Sequence, residues 1–152
     1  NVSLGADHAS SGTVDLVQEM RHAVGGYKEM RLNPRVMPPE QAIEMATING
    51  ARGAGLADRI GSVEAGKEGD LVLFDATVSE WQPLYNPVSN LVYGATGNTV
   101  KHVFVGGEQV VRDGRMTRVD QDAVLREAAR AGSRITSRLD MSKVLKLRWP
   151  VS

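Results

Sequence analysis

The chain has 152 residues, 41% of them hydrophobic, and its 18 Lys and Arg balance 18 Asp and Glu. This length suits one domain with a core of normal size, and zero net charge excludes a global field that recruits nucleic acid or an anionic membrane. The absence of cysteine excludes a disulfide framework, a thiolate metal site and a cysteine nucleophile. Apolar runs fall far short of the ~20 residues of a membrane helix, so a cytoplasmic protein is the default expectation.

The first predicted unit is a strand, a loop and a helix. Apolar and small residues alternate over residues 2–6, which predicts a short strand ending at the polar stretch DHASSG. Asp7 would stand at the carboxyl end of this strand. The commonest role of such an aspartate is to cap a loop or a helix, and catalysis is the alternative. From Thr13, as N-cap, a helix is predicted. Its apolar positions are Leu16, Met20, Val24 and Tyr27.

A second helical region follows in the stretch MPPEQAIEMATINGARGAGLAD. Pro39 and Glu40 are typical of a helix start, and Asn49-Gly50 is typical of a helix end. A short helical turn is predicted around residues 52–56. The apolar face of the longer helix comprises Ala42, Ile43 and Ala46.

The second half of the chain predicts a small sheet. The unbroken apolar run from Leu71 to Phe74 predicts a strand buried on both faces. Two β-branched runs joined by Gly106-Gly107 predict a hairpin, because primed turns need positive φ at both central positions. Between them, the stretch with Pro83 and Pro87 predicts an ordered connecting loop.

The last predicted element is a helix capped by Asp120, followed by an irregular tail. Its apolar stripe comprises Val124, Ala128, Ala131, Ile135 and Leu139. Its arginines, spaced four residues apart, are Arg126, Arg130, Arg134 and Arg138. With zero net charge and no interleaved aromatic residues, this row indicates a solvated or salt-bridged face rather than a nucleic-acid site.

Two other candidates for chemistry are weaker. The stretch GSVEAGKE has P-loop spacing, but Glu68 replaces the Mg²⁺-binding hydroxyl and the stretch precedes a strand, which favours a simple turn. The three histidines lie too far apart to form a local metal clip. We expect His22 to be solvated and His102 to lie at a surface or an interface. His8, beside Asp7, is the histidine with a functional hypothesis.

Three segments together resemble the metal-dependent amidohydrolases, in the branch with cytosine and guanine deaminases, S-adenosylhomocysteine-type deaminases and triazine chlorohydrolases. One resembles the end of the eighth barrel strand, where the family carries a metal-binding aspartate: VSLGADHAS. Another resembles the segment that leads out of the barrel: PPEQAIEMATINGARGAGLADRIGSVEAGKEGDLVLFD. The third resembles the closing hairpin of a small β-sandwich: VKHVFVGGEQVVRDGRM.

This resemblance implies a role for Asp7. It would ligate one divalent metal ion, Zn²⁺ or Fe²⁺, and serve as general base for the water that attacks a ring carbon. His8, Ser10 and Ser11 would bind substrate or support the site, with contact to the metal or no role at all as the alternatives for His8. The family's other ligands, a His-x-His and two further histidines, have no counterpart in this sequence. The resemblance therefore implies the C-terminal third of a larger hydrolase, inactive in isolation.

The expected fold class is α/β, as the C-terminal part of a TIM-type barrel with part of a β-sandwich. Residues 1–57 would be the last barrel strand and outer helices, 58–117 part of the composite sandwich, and 118–152 a helix and tail. Bare barrel and sheet surfaces imply self-association or a homo-oligomer. The expected partner is a small heterocyclic substrate, with no nucleic acid and no membrane. The alternatives are a noncatalytic binding or assembly module and one subunit of a split enzyme.

Overall fold

The structure is a computed structural model that describes residues 1–7 and 14–139. The chain divides into two compact units, Asn1–Arg115 and Met116–Ser152. The first unit combines helices with a small antiparallel sheet, so the mixed α/β content predicted from the sequence is confirmed. The predicted boundary near residue 57 stays a prediction.

Helix α1 (Leu16–Arg31) begins at Asp15, whose side chain accepts hydrogen bonds from the first turn. The prediction of Thr13 as the N-cap is therefore wrong. Asp15 fits the role because its short carboxylate reaches main-chain N–H groups that have no partner within the helix. The helix ends at Leu32, which has φ +47° and donates its N–H to the last turn.

Helices α2 (Pro39–Ala46) and α3 (Ile48–Gly53) are separated at Thr47. Pro39 stands in the first turn of α2, as predicted. The predicted end at Asn49-Gly50 is wrong, because both residues lie inside α3. The break comes instead at Thr47, where the hydroxyl donates to the Ile43 carbonyl at 2.6 Å and the main chain leaves helical geometry. The turn predicted over residues 52–56 starts earlier, as α3.

Residues 1–7 contain no assigned strand, so the strand prediction for residues 2–6 is wrong in this chain. A strand needs a neighbouring strand to pair with its main-chain groups. Here the segment contacts helices instead: Leu4 N–H donates to the Met45 carbonyl at 3.0 Å, and the Asn1 side chain donates to the Asn49 carbonyl at 2.8 Å.

The sheet contains β1 (Leu71–Phe74), β2 (Val100–Val105), β3 (Glu108–Arg112) and β4 (Arg115–Met116), in that order. Strands β1, β2 and β3 pair antiparallel. The predicted hairpin between β2 and β3 is confirmed: Gly106 has φ +56° and Gly107 has φ +82°. Both values suit a primed turn, whose twist matches the flanking strands.

Strand β1 is present as predicted, but its predicted burial on both faces is wrong. Leu71, Val72 and Leu73 are 37%, 52% and 44% exposed. Phe74 packs against the Trp81 ring, with the ring centroids 5.6 Å apart. The described residues thus cover one end of this edge strand and leave most of its apolar surface open.

The core of the first unit lies between α1, α2 and the stretch that follows β1. Its fully or nearly buried members are Val17, Met20, Val24, Ala42, Trp81, Val92 and Ala95. The last three come from the stretch predicted as a connecting loop. That stretch is ordered, as predicted, but it is mostly helical: a 3-10 turn (Ser79–Trp81), α4 (Pro87–Ser89), a π-helical turn (Asn90–Gly94) and a second 3-10 turn (Gly97–Thr99).

The second unit contains α5 (Gln121–Thr136). Asp120 is its N-cap, as predicted, and accepts a hydrogen bond from Ala123 N–H at 2.9 Å. The helix has no buried residue, and the large apolar residues of its stripe, Val124, Ile135 and Leu139, are exposed within the described part of the chain. The predicted tail, from residue 140, lies outside the described residues. Among the helices described, none is long and apolar enough to cross a membrane.

Candidate functional site

Asp7 lies at the end of the N-terminal segment and is exposed. Its φ of +53° places it in the left-handed region, which aspartate tolerates better than most residues. The segment before it is held to α2 by the bond from Leu4 to Met45. Asp7 thus presents its carboxylate at the end of a segment that is anchored three residues earlier.

Asp7 does not cap α1, because Asp15 occupies that position, and capping of the loop that follows stays the alternative to a catalytic role. One Asp15 oxygen, Oδ1, accepts from Val17 N–H at 2.9 Å and from Gln18 N–H at 3.4 Å. The other oxygen, Oδ2, accepts from Gly97 N–H at 3.0 Å. Asp15 therefore caps α1, where the sequence predicted Thr13.

His8, Ser10 and Ser11, the other predicted site residues, lie outside the described residues. The substrate-binding roles of these residues and the catalytic role of Asp7 stay predictions. In residues 1–7 and 14–139, no group of three or more His, Asp or Glu side chains could hold a metal ion. A divalent ion held by Asp7 would need further ligands, since protein metal sites combine several donors.

A groove of about 710 Å³ opens between the start of α1, the end of α2 and the sheet. Its apolar lining includes Leu16, Val17, Ile43, Val72, Phe74 and Val103. Ligand pockets usually add a few convergent polar groups to such a lining. The Asp15 carboxylate on this groove is already bonded to three N–H groups. The other polar residues of the lining are Gln18, Thr47, Thr96 and Asn98.

Two carboxylates have lowered pKa values, and both belong to turns. Hydrogen bonds from the Thr77 hydroxyl and N–H, and then from Lys101, lower the pKa of Asp75 to about 2. Hydrogen bonds from Ser62 and Lys67 lower the pKa of Glu64. Each carboxylate is stabilised in its charged form by its own neighbours, which is a structural role rather than a sign of catalysis.

The GSVEAGKE stretch forms a turn before β1, in agreement with its interpretation as a simple turn. Lys67 Nζ donates to the Ser62 hydroxyl at 2.5 Å and pairs with Glu64 at 3.2 Å. Glu68 pairs with Arg59. The lysine that would bind phosphate is therefore engaged by its own loop, and the P-loop alternative finds no support.

The structure describes two of the three histidines, His22 and His102. His22 is exposed, as predicted. His102 is half-buried on β2, where Nδ1 accepts from Asp113 N–H at 3.3 Å and lies 3.2 Å from the Gln109 amide nitrogen. These contacts order the end of the hairpin.

The residue that sequence reasoning missed is Asp15. A signal for it exists: Asp15 directly precedes the first apolar position of the helix, and Gln18 follows three residues later, which matches the spacing of a capping box. Its bond to Gly97, 82 positions away, has no local signal.

Comparison with known proteins gives a consistent result. The model of the amidohydrolase family matches residues 1–110. The chain is 34% identical over 138 residues to a 5'-deoxyadenosine deaminase of Methanopyrus kandleri, covering 90% of this chain and 32% of that protein. It is 36% identical over 139 residues to 5-methylthioadenosine/S-adenosylhomocysteine deaminase 1 of Syntrophus aciditrophicus, covering 91% and 31%.

Among solved structures, an adenosine deaminase from Xanthomonas campestris with bound zinc matches with a TM-score of 0.80 and 32% identity, over 85% of this chain and 29% of that one. An atrazine chlorohydrolase from Arthrobacter aurescens with zinc matches with a TM-score of 0.68 and 18% identity, over 74% and 25%, which shows a shared fold alone. The chain spans about a third of the length of the curated relatives it matches. On the family match and these similarities, the chain belongs to the amidohydrolase family.

Proposed function

We propose that this chain is the C-terminal portion of a metal-dependent amidohydrolase that deaminates an adenine nucleoside. In this proposal residues 1–57 supply the last strand and outer helices of a TIM-type barrel, and residues 58–117 supply part of a composite β-sandwich. The supporting observations are the family match over residues 1–110 and the share of the relatives' length that the chain covers.

The substrate class follows from the names of the similar proteins. They deaminate 5'-deoxyadenosine, 5-methylthioadenosine and S-adenosylhomocysteine, which share an adenine base on a sugar altered at its 5' position. The reaction adds the oxygen of water to the ring carbon that carries the amine and releases that amine as ammonia. Chlorohydrolysis is the less favoured alternative, because the likeness to the atrazine enzyme extends to the fold alone.

The observation that carries the role of Asp7 is its placement: an exposed carboxylate at the end of an anchored segment, with the helix cap supplied by a different residue. A carboxylate in its charged form can accept a proton from the attacking water and return it to the departing amine. We propose this proton transfer, together with metal ligation, as the work of Asp7.

The metal would be Zn²⁺ or Fe²⁺, with its remaining ligands supplied from beyond the described residues. When bound, such an ion supplies Lewis acidity and lowers the pKa of water towards ~7. A carboxylate oxygen suits several divalent ions, so Asp7 is compatible with either. The zinc reported in the similar adenosine deaminase favours Zn²⁺.

The open surfaces also fit this proposal. Exposed Leu71, Val72 and Leu73 and the apolar groove beside them are surfaces that a monomeric protein normally covers. We propose that the rest of the amidohydrolase polypeptide covers them, and that the isolated chain self-associates through them.

The test measures ammonia release from 5'-deoxyadenosine by the full-length product of the gene that encodes this chain, and by residues 1–152 alone. We expect deamination by the former and none by the latter. Asp7→Asn should lower kcat by about 100- to 10,000-fold, the usual contribution of a general base. The matched control is Asp113→Asn, because Asp113 is also exposed and also has positive φ, at +48°. A full-length protein that leaves adenine nucleosides intact would contradict the proposal.

A further inference from the structure

Helix α5 carries an apolar stripe that is open within the described part of the chain. Its members Val124, Ala128, Ala131 and Ile135 recur at the spacing of a heptad repeat, so they share one side of the helix. Val124 is 57% exposed and Ile135 is 62% exposed. A helix with one apolar side normally buries that side against another element. The stripe is therefore a surface for a partner.

The two borders of this stripe differ in chemistry. Glu127 and Arg134, of opposite charge, lie along one border. Leu125 and Gly132 lie along the other, where Leu125 is 59% exposed and a Cβ added to Gly132 would meet open space. Within residues 14–139, no ion pair engages Glu127 or Arg134. Both charges are thus available to a partner.

A second copy of α5 fits the stripe when the two helices run antiparallel. Val124 of each copy then meets Ile135 of the other, and Ala128 of each copy meets Ala131 of the other. The larger side chains meet at the two ends of the contact, and the small ones meet in the middle. The two helices can therefore approach closely along the whole stretch.

The borders of the stripe are complementary in the same arrangement. Glu127 of each copy lies beside Arg134 of the other, which gives two ion pairs across the contact. Leu125 of each copy lies over Gly132 of the other, where there is open space. A parallel pair would instead place Glu127 beside Gly132 and Arg134 beside Leu139, which carry no charge. The charges therefore favour antiparallel pairing.

We propose that α5 is a docking surface for a second copy of this chain, whose own α5 it binds as an antiparallel pair. The proposal goes beyond the proposed catalytic function and does not depend on it. The paired stretch has about three helical turns, and stable protein interfaces bury about 1,200 Å² or more. We therefore expect a weak dimer that forms at high protein concentration.

The test exchanges the two charges in the 152-residue chain and measures the dissociation constant by sedimentation equilibrium. Glu127→Arg alone and Arg134→Glu alone each place like charges side by side, twice in a symmetric pair. Each should raise the dissociation constant by about 10-fold. The double variant, Glu127→Arg with Arg134→Glu, restores opposite charges and should return the constant to within about 2-fold of wild type.

The matched control is Arg126→Glu, which makes the same change of charge on the side of α5 away from the stripe. It should leave the dissociation constant unchanged, and circular dichroism checks that all variants keep their helix content. Equal effects of Arg126→Glu and Arg134→Glu would mean that net charge, and not pairing, controls association. That result would overturn the proposal, and so would a double variant that fails to recover.

The other possible partners of α5 give different outcomes. If the chains associate through the open sheet alone, none of these variants will differ from wild type, which would overturn the proposal. The same series in the full-length product of the gene tests whether further polypeptide of the same protein covers α5. In that case the full-length protein will show no association that responds to the charge exchange, and the proposal would again be overturned.

Discussion

The helical layer and the sheet of the first unit differ in how they cover their apolar residues. Val24, Ala42 and Val92 in the helical layer are fully buried, whereas three of the four residues of β1 are exposed. The helices and the stretch after β1 find apolar partners within the described chain. Strand β1 finds a hydrogen-bonding partner in β2 but little cover for its side chains. The stability of the chain therefore comes mainly from the helical layer, and the sheet offers a surface for further polypeptide.

The largest expected effect is in the helical layer, at Trp81. Its ring is buried, packs against Phe74 and donates to Thr99. Trp81→Ala should lower the free energy of unfolding by about 3–5 kcal/mol, because it leaves a large cavity. Urea unfolding of wild type and variant measures this loss of free energy. The control is Tyr85→Ala, which removes a side chain 91% exposed and should cost no more than about 0.5 kcal/mol. Equal effects at the two positions would mean that the helical layer is not the stable part.

A smaller loss is expected at Gly94, at the end of the π-helical turn. A Cβ at this position would overlap the main-chain oxygen of Glu80. Gly94→Ala should therefore destabilise the unit by about 1–3 kcal/mol. Gly25→Ala is the matched control: Gly25 lies inside α1 with open space around it, so alanine should stabilise by about 0.5–1 kcal/mol. Thermal unfolding of both variants measures these changes in stability. A loss of stability in Gly25→Ala would contradict the packing described.

A substitution on the exposed strand β1 should change self-association rather than stability. Val72→Lys places a charge on an exposed position of β1 and should change the free energy of unfolding by no more than about 0.5 kcal/mol. It should reduce self-association, because charge on an edge strand disfavours pairing with another chain. Light scattering of wild type and variant across a concentration series measures this. A wild-type chain that stays monomeric at every concentration would contradict the role of the open sheet.

The smallest expected effect is on the pH dependence of stability, through Asp75. The pKa of Asp75 lies at about 2 in the folded chain, below its ordinary value of 3.8, because Thr77 and Lys101 stabilise the carboxylate. Its contribution to stability is therefore complete above about pH 4 and is lost as the pH falls through 2. Asp75→Asn should remove this part of the acid dependence and leave the difference between variants constant above pH 5. Unfolding between pH 2 and 7 tests it, and an identical acid dependence in the variant would contradict it.

Several features set by neighbours in sequence were predicted correctly, although the cap at Asp15 and the break at Thr47, which are also local, were not. The Gly106-Gly107 turn, the start of α2 at Pro39 and the cap at Asp120 all follow from residues within a few positions of each other. Turn and cap preferences depend on local main-chain geometry, which a short stretch of sequence specifies. For the site, the sequence and its family resemblance pointed to Asp7, whose role in chemistry remains a prediction.

Features that depend on distant partners were not predictable. The segment at residues 2–6 has the alternation of a strand, yet the structure pairs Leu4 with a helix. The run at β1 has the composition of a buried strand, yet the described chain leaves it exposed. Apolar pattern specifies which faces a segment can bury, and only the tertiary structure supplies what covers them.

By itself, then, the sequence determined the family, the local helices and turns, and the candidate aspartate. The tertiary structure decided that the stretch after β1 forms part of the core and that Asp15 reaches Gly97 across 82 positions. The physical reason is that local preferences act within one turn of chain, whereas burial and long-range hydrogen bonds depend on which segments meet in space.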